Sequence, residues 1–115
     1  MSVKIERIAN NFIKEISIIV NNELKDEKIK FVTITGCEVS NDLSFAKVYF
    51  TSLNENKKEQ LTNILNKAAP YIRSVLSQRV DIRHTPELKF YYDESIDYGR
   101  KIEDIIEKIH EKSID

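Results

Sequence analysis

Apolar residues recur every three or four positions at the start of the chain, which is the spacing of one face of an α-helix. This stripe predicts a first helix over residues 3–24 and consists of Ile5, Ile8, Ala9, Phe12, Ile13, Ile16, Ile19, Val20 and Leu24. The same spacing returns over 57–68 and 70–80. It appears last in a segment running to about residue 112, through Tyr98, Ile102, Ile105, Ile106 and Ile109. The pattern therefore predicts four helical segments.

Between these segments the pattern changes to the alternation typical of β-strands. Residues 30–39 and 44–53 predict a hairpin, and residues 88–92 predict a third strand. The apolar phase shifts near Gly36, which indicates a β-bulge in the first strand. The order α-β-β-α-α-β-α predicts an α+β fold, with a three-stranded sheet and helices packed mainly on one face. With 115 residues, the chain is expected to form one domain, residues 1–115.

One helical stripe is interrupted at Ala68-Ala69-Pro70. Proline lacks a backbone N–H and clashes with the carbonyl four residues earlier, so we expect it to break or kink the helix. It suits the first position of a second helix. Backbone N–H groups at a helix start attract anions, so this joint is a candidate site for a phosphate backbone.

Charge is distributed unevenly along a chain whose net charge is only −1. Residues 66–84 carry a net charge of +3, and residues 85–99 carry −3. Such segregation can create a basic patch on a nearly neutral molecule. The alternative is that these charges are ordinary solvated helix surface.

The sequence contains no phosphate-binding glycine loop, dinucleotide-binding motif or serine-hydrolase motif. His84, His110 and Cys37 lack metal-ligand spacing, so neither a metal nor another cofactor is predicted. Cys37 lies in an apolar strand and is interpreted as a core residue, and we expect no enzymatic activity. The single cysteine, the lack of a signal-like N-terminus and the absence of an apolar stretch of about 20 residues predict a cytoplasmic protein without a membrane partner.

Several segments in a fixed order resemble the ribosome-binding factor A family, from about residue 4 to about residue 109. They include Arg7-Ile8-Ala9, Phe31-Val32-Thr33-Ile34-Thr35, Val39-Ser40-Asn41-Asp42-Leu43-Ser44-Phe45-Ala46-Lys47-Val48-Tyr49, Ala68-Ala69 followed by Tyr71-Ile72-Arg73, Thr85-Pro86-Glu87-Leu88 and Ser95-Ile96-Asp97-Tyr98-Gly99. The resemblance implies a type II KH-like fold. In this family an Ala-x-Gly kink replaces the KH-domain GXXG loop, and this chain departs from it by carrying Pro70 in place of the glycine.

The resemblance also implies binding to the small ribosomal subunit and its rRNA, a role in late rRNA maturation and cold adaptation, and no catalysis. We expect the free protein to be a monomer. The expected RNA- or ribosome-binding residues are Lys67, Ala68, Ala69, Pro70, Tyr71, Arg73, Arg79, Arg83 and His84. Tyr71 could instead pack at the joint. The alternative functions are a generic single-stranded RNA-binding KH-like module and a protein–protein adaptor.

Overall fold

The computed structural model describes residues 3–24, 32–53 and 57–94. Helix α1 spans Val3–Ile18 and continues as a π-helical turn over Ile19–Glu23. Strands β1 (Val32–Val39) and β2 (Phe45–Ser52) follow, then helix α2 (Lys58–Arg79) and strand β3 (Glu87–Tyr92). The predicted α+β class and three-stranded sheet are confirmed. The predicted last helix lies outside the described residues.

The sheet has the order β1-β2-β3, with β2 in the centre. Strands β1 and β2 form an antiparallel hairpin, and their register shifts between Ile34 and Gly36. The bulge predicted at Gly36 is therefore confirmed. Strand β3 pairs with β2 in parallel. Parallel neighbours need a long crossover connection, and α2 provides it.

The hairpin turn is closed by the side chain of Asp42. Its carboxylate accepts hydrogen bonds from the hydroxyls of Ser44 (2.6 Å) and Ser40 (2.8 Å) and from the Ser44 backbone N–H (3.0 Å). These bonds lower the pKa of Asp42 to about 2, the Ser44 hydroxyl contributing most. Leu43 adopts a left-handed backbone with φ of 61°, and burial of its side chain holds it there.

The core lies between one face of the sheet and the two described helices. Alternate sheet residues point inward, as the period of a strand requires. They pack against the stripe of α1, represented by Phe12 and Ile16, and against the stripe of α2. The inward sheet residues are Val32, Ile34, Ala46, Val48, Phe50, Leu88 and Phe90. The opposite face of the sheet is the outward face.

The predicted break at Pro70 is wrong, because α2 runs as one helix through this residue. The element order in the described residues is therefore α-β-β-α-β. Proline inside a helix costs about 3 kcal/mol. Five residues on one face of α2 are buried on both sides of Pro70: Leu61, Leu65, Ala69, Ile72 and Leu76. Burying each of the larger ones contributes about 1.5–3 kcal/mol, so packing outweighs the local penalty.

Candidate functional site

Exposed residues at helical spacing form a continuous surface on α2, which we call the α2 outer face. It consists of Asn63, Lys67, Pro70, Tyr71, Ser74 and Gln78. Lys67 is the charged residue in this set, and it lies one turn from Pro70 and Tyr71. This surface is therefore weakly basic and largely uncharged, with a proline that removes one backbone donor at its centre.

The two alanines of the predicted joint do not belong to this surface. Ala69 is only 7% exposed and packs in the core, and Ala68 is half-buried against it. Their small side chains let α2 lie close to the rest of the core. They lie on the core side of α2, beneath the exposed surface, and the side chain of Ala69 is not available to a partner.

Tyr71 makes a contact within the protein, which is one of the two roles that the sequence left open. Its hydroxyl donates a hydrogen bond to Oε2 of Glu23 at 3.2 Å, which ties α2 to the π-helical turn. The side chain remains 50% exposed. Desolvation, and then the neighbouring Glu23 carboxylate, raise the pKa of this phenol. Tyr71 is thus held in place while much of its surface faces solvent.

Arg73 anchors the loop that connects α2 to β3. Its Nε and Nη2 donate to the carbonyl oxygen of Thr85 at 3.0 Å and 2.8 Å. This two-point contact has the fork geometry that arginine favours. It holds the loop beside the middle of α2, and the exposed residues Arg83 and His84 directly precede Thr85 in that loop.

Arg79 forms an ion pair between the two helices. Its Nε lies 2.6 Å from Oε2 of Glu15 on α1, and the two side chains are 36% and 17% exposed. Arg73 therefore uses its guanidinium within the protein, whereas Arg79 pairs its Nε with Glu15 at an exposed position. Lys67 and Arg83 of the basic segment 66–84 are exposed and form no ion pair with any of the described residues.

Asn66 is a residue that the sequence analysis did not identify. Its Oδ1 accepts the backbone N–H of Phe90 at 2.8 Å, and its Nδ2 donates to the Phe90 carbonyl at 3.0 Å. The amide thus pairs with the outer edge of β3 as a neighbouring strand would. The sequence signal was weak: asparagine is a poor residue for a helix interior, and it occurs here one turn before Pro70.

Cys37 is not an activated nucleophile. Burial, and then the charge of Glu38, raise the pKa of its thiol to about 12, whereas a reactive thiol needs a lowered pKa.

Across residues 3–24, 32–53 and 57–94 no three histidine, cysteine or acidic side chains come together as metal ligands. Neither α1 nor α2, the two described helices, has the length and apolar character of a membrane span.

The described elements define a small α+β domain in which two helices pack on one face of a three-stranded sheet. A family model described as ribosome-binding factor A matches residues 4–106. The chain therefore belongs to the ribosome-binding factor A family, as the sequence resemblance predicted. A ribosome-binding factor A from Staphylococcus carnosus is 46% identical over 111 residues, which cover 96% of each chain. One from Staphylococcus saprophyticus is 47% identical, covering 97% of this chain and 99% of the relative.

Solved structures agree with the fold. A solution structure of a putative ribosome binding factor A from Thermotoga maritima superposes with a TM-score of 0.72 at 25% identity, covering 84% of this chain and 93% of that one. A crystal structure of ribosome-binding factor A from Thermus thermophilus gives a TM-score of 0.70 at 22% identity, covering 76% and 94%. A Thermus thermophilus model fitted into a cryo-EM map of a 30S–RbfA complex gives 0.64 at 22% identity, covering 75% and 91%.

Proposed function

We propose that this protein binds the small ribosomal subunit and its rRNA and assists late maturation of that rRNA, including during growth in the cold. The support is membership of the family over residues 4–106, together with a Thermus neighbour whose model was fitted into a 30S complex. The protein acts as a non-catalytic binding factor, in one KH type II-like domain over residues 1–115. It is a cytoplasmic monomer when free.

We place the rRNA-binding surface around Pro70 because of the residues that are exposed there. Lys67, Pro70 and Tyr71 are exposed on one side of α2, and the Arg73–Thr85 contact holds the loop with Arg83 and His84 alongside. Two cations and an exposed tyrosine can meet phosphates and a base. Arg73 contributes by positioning this surface, since its Nε and Nη2 both donate to the Thr85 carbonyl. Arg79 contributes by joining α2 to α1 through the pair of its Nε with Glu15.

Binding would assist maturation through a difference in affinity. A ligand shifts a conformational equilibrium only by as much as it prefers one state. The protein therefore binds the immature RNA conformation more tightly than the mature one, stabilises it, and leaves when the mature conformation forms. No covalent step is required.

The test is cosedimentation with immature and mature small subunits at two salt concentrations. Lys67→Ala and Arg83→Ala should each weaken association with immature subunits, and Lys14→Ala on α1, also an exposed lysine, is the matched control. Each lost phosphate contact should reduce the slope of log K against log salt by about 0.7–0.9. Equal affinity for both kinds of subunit, or equal effects of all three variants, would reject the proposal.

A protein–protein adaptor is the second candidate, favoured by the low charge of the α2 outer face, where Lys67 is the charged side chain. Interface cores are depleted in charge and enriched in tyrosine. Association that resists both nuclease and high salt would favour the adaptor.

A further inference from the structure

The outward face of the sheet carries two adjacent tyrosines in its middle row. Tyr49 on the central strand β2 is in register with Tyr91 on β3 and with Gly36 on β1. The two ring centroids lie 5.9 Å apart, with an interplanar angle of 32°. Gly36 has no side chain, and a Cβ at this position would lie 3.7 Å from Cδ2 of Tyr49, so the Tyr49 ring lies over Gly36. The tyrosines therefore form a short aromatic platform across β2 and β3.

Both described helices pack against the other face of the sheet, where the core residues lie. On the outward face, Lys47 and Lys89 are exposed, and Phe45 at the start of β2 is 60% exposed. Tyr49 and Tyr91 are half-buried, as expected for rings that pack against each other. Aromatic residues displayed in this way on an open sheet face are the arrangement that stacks unpaired bases.

Two lysines lie in the row next to this aromatic platform. Lys47 and Lys89 are in register on β2 and β3, and the Lys89 ammonium is 5.5 Å from the Tyr91 ring centroid. Glu38 pairs with Lys47 in register on β1, and this row keeps a charge of +1. Neither lysine forms an ion pair within the described parts of the chain. Glu87 is in register with Phe45, on the side of the lysine row away from the tyrosines. Its negative charge limits the positive region to the lysine row beside the rings.

We propose that this face binds a short unpaired RNA segment, with bases stacked on Tyr49 and Tyr91 and a phosphate held by Lys47 and Lys89. Single-strand binding sites combine stacking aromatics with cations that follow the backbone. Two neighbouring ammonium groups repel a basic peptide but match a phosphate. The site lies across the sheet from α2 and is a second contact, separate from the α2 outer face.

The test uses a fluorescently labelled uridine octanucleotide and fluorescence anisotropy. Tyr49→Leu and Tyr91→Leu should each weaken binding at least about 5-fold, because base–aromatic stacking is lost. Tyr49→Phe and Tyr91→Phe retain the rings and should bind within about 2-fold of the natural protein. Lys89→Gln should weaken binding and reduce the salt slope by about 0.7. Circular dichroism and melting temperature check that each variant is folded.

A second readout comes from the protein itself, whose aromatic emission arises from five tyrosines and no tryptophan. Stacking should quench this emission in the natural protein, and less so in Tyr91→Leu. Lys14→Ala, at an exposed position on α1 outside both surfaces, is the matched control and should leave octanucleotide binding unchanged. The α2 site is tested separately, by the effect of Lys67→Ala on subunit cosedimentation, so failure of the α2 site and failure of this site are distinguishable. The proposal is overturned if no binding occurs up to about 1 mM, or if Leu and Phe variants behave alike. It is also overturned if folded Leu variants bind the octanucleotide normally yet lose subunit association, since the face would then contact a protein.

Discussion

Replacing Asn66 tests how the binding surface is held in place. Its side chain makes two hydrogen bonds to the backbone of Phe90, at 2.8 Å and 3.0 Å, in a partly buried position. Asn66→Ala removes both. A typical hydrogen bond contributes about 0.5–1.5 kcal/mol, and a buried group left unsatisfied costs about 1–3 kcal/mol. Alanine's better helix propensity returns about 0.5 kcal/mol.

The expected net loss is therefore about 2–3 kcal/mol, a large fraction of the roughly 5–15 kcal/mol by which such domains are stable. Urea unfolding followed by circular dichroism measures it as a lower midpoint at unchanged slope. Asn63→Ala, at an exposed position one turn earlier on α2, is the matched control and should change stability by less than about 0.5 kcal/mol. If the two variants unfold at the same urea concentration, the pairing of Asn66 with β3 does not stabilise the fold.

Three further predictions concern Pro70, Cys37 and Asp42. Pro70→Ala restores a helical N–H and should raise the free energy of unfolding, measured in urea, by about 1–2 kcal/mol. The same variant should bind the small subunit more weakly. Full association would show that Pro70 is not part of the site. Cys37 should resist iodoacetamide at pH 8 until urea unfolds the protein, because burial raises its pKa to about 12; rapid labelling of the native protein would contradict this. The pKa of Asp42 is about 2, below its ordinary value of 3.8, so its stabilising effect is present above about pH 4 and is lost as the pH falls through about 2. NMR titration should show this midpoint, and Asp42→Asn should remove that part of the pH dependence.

Local sequence signals predicted the sheet well. The apolar phase shift at Gly36 located the bulge, because a one-residue insertion exchanges the two faces of a strand. The turn chemistry of residues 40–43 located the hairpin. The parallel pairing of β3 with β2 was not predicted, since it depends on the path of α2 across the sheet rather than on the strand's own residues.

The break at Pro70 was mispredicted because the helix-breaking tendency of proline was considered without the core contacts that α2 makes along its whole length. Proline's penalty is local, whereas Leu65 and Ile72 are buried on either side of it by the same core. The prediction for the basic segment 66–84 also treated all of its cations as equivalent. The sequence shows that Arg73 and Arg79 are charged but not which groups they contact. In the structure Arg73 donates to the Thr85 carbonyl, and Arg79 pairs with Glu15. Lys67, Arg79 and Arg83 are exposed cations of the predicted set, and of these Lys67 and Arg83 form no ion pair with any described residue.

Site-specific photocrosslinking tests the central claim most directly, namely that the α2 outer face meets the RNA of the small subunit. A photoreactive amino acid placed at position 67 is compared with one placed at the exposed position of Lys14 on α1, each bound to immature small subunits. We predict cross-links from position 67 to small-subunit rRNA that disappear at high salt, and few from position 14. Cross-links from position 67 to ribosomal protein alone, or RNA cross-links of equal yield from both positions, would contradict the assignment.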